Sequence, residues 1–212
     1  MTTVDVNKET VLSGIAQCGS VLGACLLVDP KSGELNETLT TLKALKKENA
    51  WPFGNADEVD TAFCSLCDEQ SDDVHGLARE YQRLFIGPAH FEAPPWGSVY
   101  LDSEQVILGD SLVVLRKWMK KNGIAINDGL VEPEDQIGKM LVLLGWLATE
   151  KPELVEEFLS DHLMPWAPRY FDLMESDARH PFYRGIAQLS RTTLADICRL
   201  LGVEPKKMTL YF

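Results

Sequence analysis

Apolar residues recur along the chain at intervals of three and four, and alternation with period two is scarcely seen, so the pattern is that of helices burying one face. Val11, Leu12, Ile15, Leu22, Cys25 and Leu26 form one stripe, closed by Asp29-Pro30 because proline disfavours helical backbone in the residue before it. Leu35, Leu39 and Leu42 predict a second helix ending near Trp51-Pro52, and Val59, Phe63 and Leu66 a third. Val74, Leu77, Tyr81, Leu84 and Phe85 predict a fourth that stops at Gly87-Pro88. Leu108, Leu112, Leu115 and Met119 predict a fifth, with Lys117, Lys120 and Lys121 near the negative end of its dipole and Gly123 as its stop.

The sixth helix is expected to open at Glu132-Pro-Glu-Asp135, where proline suits a first helical position and acids suit the exposed N–H groups. Its body, residues 137–148, is apolar on nearly every face and should run through the centre of the protein. Leu154, Phe158 and Leu159 carry a seventh helix up to Pro165, Tyr170 to Met174 a shorter eighth, and Phe182, Ile186, Leu189, Ile197 and Leu201 a long last one. Residues 203–212 carry too little pattern to assign. The expectation is an all-α fold, a bundle of about nine helices forming a single domain over residues 1–212.

One segment breaks the rhythm. Residues 87–100, GPAHFEAPPWGSVY, hold four rings counting His90, and three prolines, with no helical or strand period. Loops are usually polar because their backbone needs water, so this one either packs down on the helices or offers apolar surface to a partner. If it forms half of a peptide groove, Trp96 should be partly exposed; if it plugs the core, Trp96 should be buried. The segment through residue 101 is expected to be irregular.

Composition narrows the setting. A chain of 212 residues can bury roughly 70–75% of its unfolded surface, enough to fold without disulfides or metal. Its first ten residues lack the basic start and apolar run of a signal peptide, and the longest apolar run, residues 140–148, falls short of the roughly 20 residues of a membrane span. Five cysteines, an odd number, point to a reducing compartment, and the cytoplasm is the expected location. Cys64 and Cys67 have CxxC spacing but no second pair, and read as helix residues. Cys18, Cys25 and Cys198 read as core. With 20 basic residues against 32 acidic, the net charge of −12 works against nucleic acid binding and favours a cationic partner.

Catalytic signatures are missing. Gly14 and Gly19 have the spacing of a phosphate loop, but position 20 is Ser20 rather than lysine and no strand precedes it. There is no HExxH, GxSxG or GxGxxG, and His75, His90, His162 and His180 are scattered. Glu132, Glu134 and Asp135 could serve as paired carboxylates in a small helical hydrolase, but a helix start gives them a sufficient structural role. A general helical adaptor is a further reading.

The motifs EYQRLFIGP at 80–88, PPWGSVYLD at 94–102, EPED at 132–135, HLMPW at 162–166 and HPFYR at 180–184 resemble, in the same order, those of the DmsD/TorD family of redox-enzyme maturation chaperones, and specifically its DmsD branch. The resemblance covers residues from about 80 to 190. It implies a TorD-like fold and a cytoplasmic, non-enzymatic chaperone with no cofactor or metal. Such a chaperone binds the twin-arginine signal peptide of a molybdopterin oxidoreductase subunit, of dimethyl sulfoxide reductase type. It would hold that precursor for cofactor insertion before Tat export. Service to another molybdoenzyme, such as trimethylamine N-oxide reductase, is the alternative. Contact with the Tat translocase and a domain-swapped dimer hinged at 123–131 are further implied, with neither nucleic acid nor a membrane span. A leader's arginine pair and apolar stretch suit an acidic surface with rings and prolines.

Carried over by motif, the peptide site draws on Tyr81, Leu84, Phe85, Pro95, Trp96, Gly97, Asp135 and Gln136. Many family members have histidine after the aspartate of the EPxD pattern. Here Gln136 keeps a hydrogen-bonding side chain that cannot take up a proton near neutral pH. The position of Tyr81 is often tryptophan in the DmsD branch.

Overall fold

The computed structural model describes residues 8–68, 73–88, 90–125 and 132–212. Ten helices follow one another among them: α1 Lys8–Leu27, α2 Leu35–Glu48, α3 Ala56–Leu66, α4 Val74–Tyr81, α5 Gly97–Leu101, α6 Asp110–Lys121, α7 Ile137–Glu150, α8 Val155–Phe158, α9 Ala167–Asp177 and α10 Pro181–Leu201. No strand occurs among the described residues, and the all-helical expectation holds. The expected hinge at 123–131 falls mostly outside the described residues.

α1 and α7 lie along each other so closely that glycine is required at the contact. A Cβ added at Gly19 would stand 2.6 Å from the carbonyl oxygen of Leu141 and 2.8 Å from the nitrogen of Gly145. One added at Gly23 would stand 2.9 Å from the carbonyl oxygen of Gly138. The glycine spacing of the first helix thus serves a helix crossing, not a phosphate. By length and composition α1 could cross a membrane, but 56% of that stretch is buried in this fold. Gly19→Ala should therefore cost about 1–3 kcal/mol of stability by overpacking. Ser20→Ala, on the exposed side of the same turn, should stay within about 0.5 kcal/mol. Urea unfolding of both variants checks the difference, and equal midpoints would show that the helices separate freely.

α10 is held against α3 by a second close approach, where a Cβ at Gly185 would meet the carbonyl oxygen of Ala62 at 2.7 Å. α9 packs beside α10. Trp51, before α3, sets its ring edge-on to Phe63 at 5.9 Å and donates its Nε1–H to Thr193 at 2.9 Å.

Three expectations need correction. The sixth predicted helix does not open at Glu132: α7 starts at Ile137, and residues 133–136 form a turn closed by Gln136 N–H to the carbonyl of Pro133. Position 136 is extended, with φ −65° and ψ 131°, because its neighbours bridge to the loop opposite. The segment 87–101 is not irregular throughout, since residues 97–101 form the helical turn α5. Leu108 lies outside α6, exposed and at φ 72°, because the Asp102 carboxylate accepts from the main chain and hydroxyl of Ser111 and fixes the helix start there.

Two helices end differently from the pattern's simple reading. α4 runs on as a π turn over Gln82–Ile86, with Gly87 N–H donating to the Gln82 carbonyl, and α8 runs on as another over Leu159–Leu163. All five cysteines are free; Cys18, Cys25 and Cys198 are buried as expected, whereas Cys64 is exposed.

Candidate functional site

The extended backbone at Trp96 pairs with that at Gln136. Gly97 N–H donates to the carbonyl of Asp135 at 3.1 Å, and Ile137 N–H donates to the carbonyl of Pro95 at 2.9 Å. This bridge brings PPWGS and EPED face to face. α5 lacks a cap from its own Trp96, and the Asp135 carboxylate takes that place by accepting from Ser98 N–H at 2.7 Å through Oδ2.

The three acids of the EPED segment are thereby sorted. Glu132 accepts from the Trp96 indole at 3.1 Å. Glu134 is paired with Arg116, at 2.6 Å from Nη2 and 2.8 Å from Nε. Asp135 is only 4% exposed, and its Oδ1 has no hydrogen-bond partner among the described residues. Burial pushes its carboxyl above the usual range, against the Ser98 N–H and the nearby Ser98 hydroxyl that lower it.

Asp135 lines a cleft of about 210 Å³ together with Gly97, Ser98, Asp161, His162 and Trp166, with Leu101, Val114 and Met140 as its apolar side. Gly97 must be glycine here, since a Cβ would lie 2.9 Å from Nε1 of Trp166. The buried Trp166 ring stacks on Tyr100 at 5.5 Å and donates to the carbonyl of His162 at 3.0 Å. His162 rests on Trp118 at 4.8 Å, and burial pushes its pKa below the ordinary histidine value, so it is neutral at neutral pH. Its neighbour Asp161 supplies a second acid to the wall.

Behind the cleft, two site residues meet at the end of α1. Gln136 donates its amide to the carbonyl of Leu26 at 3.3 Å while its oxygen accepts from Lys139 N–H at 3.1 Å. Tyr81 donates its hydroxyl to the carbonyl of Leu27 at 2.6 Å. Tyr81 packs on Phe85 at 5.0 Å, and Phe85 on Tyr183 at 5.7 Å. Leu84 is buried in the same core.

Pro95, Trp96, Gly97, Asp135 and Gln136 are thus drawn into one cross-connection. Tyr81 joins it through α1, and Leu84 and Phe85 stand farther back. Only Gly97 and Asp135 of the eight line the cleft. Trp96 is 6% exposed, as expected of a ring that plugs the core and not of one that lines a groove, because Phe91 packs edge-on to it at 5.5 Å and Glu132 takes its N–H. An exposed ring is found instead on α7, where Trp146 lines an apolar groove of about 200 Å³ with Leu27, Ile124 and Val142.

Sequence reasoning gave no site role to Asp161, nor to His162 and Trp166, though the HLMPW motif that holds the last two was visible. It also missed Glu80, buried and gripping Arg83 at 2.8 Å and the main-chain N–H groups of Arg179 at 2.6 Å and His180 at 3.4 Å, so that EYQRLF and HPFYR are tied together. Burial raises the Glu80 carboxyl, but Arg83 and these N–H donors outweigh it and hold it below the usual range.

No hydrogen bond joins His162 to Asp135 or to a serine among the described residues, and no group of three or more His, Cys, Asp or Glu is placed to hold a metal. Fold and cleft give an all-helical protein with a buried, half-bonded carboxyl in the wall of a cleft. The chain matches the model of the nitrate reductase delta subunit family over residues 54–172. It is 40% identical over 179 residues to the Tat proofreading chaperone DmsD of Salmonella typhi, covering 82% of this chain and 84% of that protein. It is 33% identical over 186 residues to the probable Tat proofreading chaperone DmsD of Haemophilus influenzae, covering 88% and 91%. The chaperone protein TorD of Vibrio vulnificus is 27% identical over 140 residues, covering 60% and 65%. The chain belongs to this DmsD/TorD family of chaperones.

Proposed function

We infer that the protein is a chaperone, not an enzyme, that binds the twin-arginine signal peptide of a molybdopterin oxidoreductase subunit and holds the precursor for cofactor insertion before Tat export. Its client is a reductase of dimethyl sulfoxide type, and it works as one domain in the cytoplasm. The observation that carries this reading is the free oxygen of Asp135, buried beside Asp161 in a cleft with one apolar side. An arginine guanidinium entering there supplies the missing donor in a charge-assisted bond. The apolar stretch that follows the pair has Leu101, Val114 and Met140 to cover.

Gly97 and Asp135 touch the leader, and Pro95, Trp96, Gln136, Tyr81, Leu84 and Phe85 hold the two loops and the end of α1 in register behind them. The relatives named as DmsD support the dimethyl sulfoxide reductase client over a trimethylamine N-oxide reductase client.

Calorimetric titration with synthetic leaders of both enzymes tests this. The dimethyl sulfoxide reductase leader should bind more tightly. Its affinity should fall modestly as salt is raised, because screening shortens the reach of the net charge of −12 to about 8 Å at physiological ionic strength. Equal affinity for a leader whose arginine pair is replaced by alanine would sink the reading.

A further inference from the structure

Residues 203–212, VEPKKMTLYF, have no helix or strand, yet they are laid along the protein in one path. Ser160 holds the start of this strap: its carbonyl accepts from Lys206 N–H at 3.0 Å and its hydroxyl donates to the carbonyl of Glu204 at 3.2 Å. At the other end Tyr211 N–H donates to the carbonyl of Tyr100 at 2.9 Å, and the Gln105 amide donates to the Tyr211 carbonyl. The Phe212 ring stands edge-on to Tyr100 at 5.5 Å. Between these ties, Lys206 and Met208 form part of the wall of the cleft that holds Asp135, Asp161 and Gly97.

The order of residues in the strap is informative. Lys206 and Lys207 form a basic pair, and Met208, Leu210, Tyr211 and Phe212 supply apolar residues after it. A twin-arginine leader has a basic pair followed by an apolar stretch. The strap's apolar side chains are only partly used: Met208 is 41%, Leu210 39% and Tyr211 44% exposed. It is held mainly through its backbone, which any extended peptide can offer.

We propose that residues 203–212 are an internal stand-in for the leader, lying across the mouth of the cleft and leaving it when a leader enters. This rests on the leader reading above. A tethered segment competes at an effective concentration on the order of millimolar, so weak apolar peptides do not displace it. Lysine ammoniums are point charges, whereas arginine guanidiniums present donors in a fork that matches a carboxylate. Lys206 stands in the cleft wall without an ion pair to Asp135, whose Oδ1 is left without a donor, so a true arginine pair gains a bond the strap does not make, and the strap sharpens the choice of client. If it covers the cleft about nine-tenths of the time, it weakens leader affinity about tenfold.

Hydrogen–deuterium exchange on the full chain, with and without saturating leader peptide, is the direct test, accompanied by titration of the Tyr211→Pro/Phe212→Ala variant. That variant removes the N–H bonded to Tyr100 and the ring beside it. The amides of Lys206 and Tyr211 should exchange faster in the leader complex, and the variant should bind leader about tenfold more tightly. A leader that binds both chains equally and leaves those amides protected overturns the proposal. A leader that binds neither chain overturns the functional reading instead. The strap is then judged by titrating a synthetic peptide of residues 203–212 into the variant, where saturable binding supports it and no binding overturns it.

Discussion

Trp96→Ala is expected to lower the unfolding free energy by about 3–5 kcal/mol, a fall in melting temperature on the order of 10 °C for a chain of this size. The indole fills the angle between the 87–101 segment and the turn before α7. It is 6% exposed, meets Phe91 edge-on at 5.5 Å and satisfies Glu132 at 3.1 Å. Truncation removes that packing and leaves a carboxylate oxygen without its donor. Trp96→Phe keeps most of the ring and should cost about 1 kcal/mol, the net worth of the lost hydrogen bond. Thermal unfolding of both, with leader titration of the phenylalanine variant, separates brace from contact. A brace predicts leader affinity near wild type once the ring is restored. An alanine variant with nearly intact stability and no leader binding would place Trp96 against the peptide itself.

The helices were legible because each stripe of apolar residues is a local property, readable within a dozen positions. Val11 through Leu26, Val59 through Leu66 and Phe182 through Leu201 all gave their helices this way. The failures are at places where a partner far along the chain decides. Position 136 is extended because Pro95 and Gly97, some forty residues earlier, take up the hydrogen bonds on either side of it. α5 exists because Asp135 caps it from a distance. The π turns at Gln82–Ile86 and Leu159–Leu163 leave no mark in the periodicity, because a single widened turn shifts the stripe by only one residue. The role of Gly19 shows only once Gly145 is placed against it.

The site was legible in a different way. Its residues came from motif likeness, which points to two loops that the fold brings together but not to what each residue does. Glu132, Glu134 and Asp135 are equivalent acids in the sequence, and only the placement of Trp96, Arg116 and Ser98 shows that one of them is left with an oxygen both buried and without a donor. The rings of GPAHFEAPPWGSVY left two readings open, plug or anchor, because periodicity cannot say which way a loop folds. They fold inward, and the acid they support is what faces the cleft.

Asp135→Asn is expected to separate binding from stability. The folded protein holds this carboxyl above its ordinary value through burial, so the group contributes stability at low pH, below the unfolded value, and loses it as pH rises through the folded one. Wherever the pH lies above the folded value, the ionised Asp135 is therefore a cost to the fold. Asparagine removes the charge, and its oxygen still accepts from Ser98 N–H, so the melting temperature at neutral pH should be unchanged or higher. The pH dependence around the carboxylate range should flatten. Leader affinity should nevertheless fall, because a hydrogen bond to a charged group contributes about 1.5–3 kcal/mol, roughly tenfold to more than a hundredfold in affinity. The remaining binding should depend less on salt. Glu134→Gln is the matched control: it breaks a partly exposed pair with Arg116, for about 0–1 kcal/mol, without touching the cleft's free acid. Calorimetric titration and thermal unfolding of the two variants across acid and neutral pH decide the matter. A destabilised Asp135→Asn that binds leader normally would reduce Asp135 to the cap of α5, and the acid that receives the arginine pair would then have to be sought at Asp161.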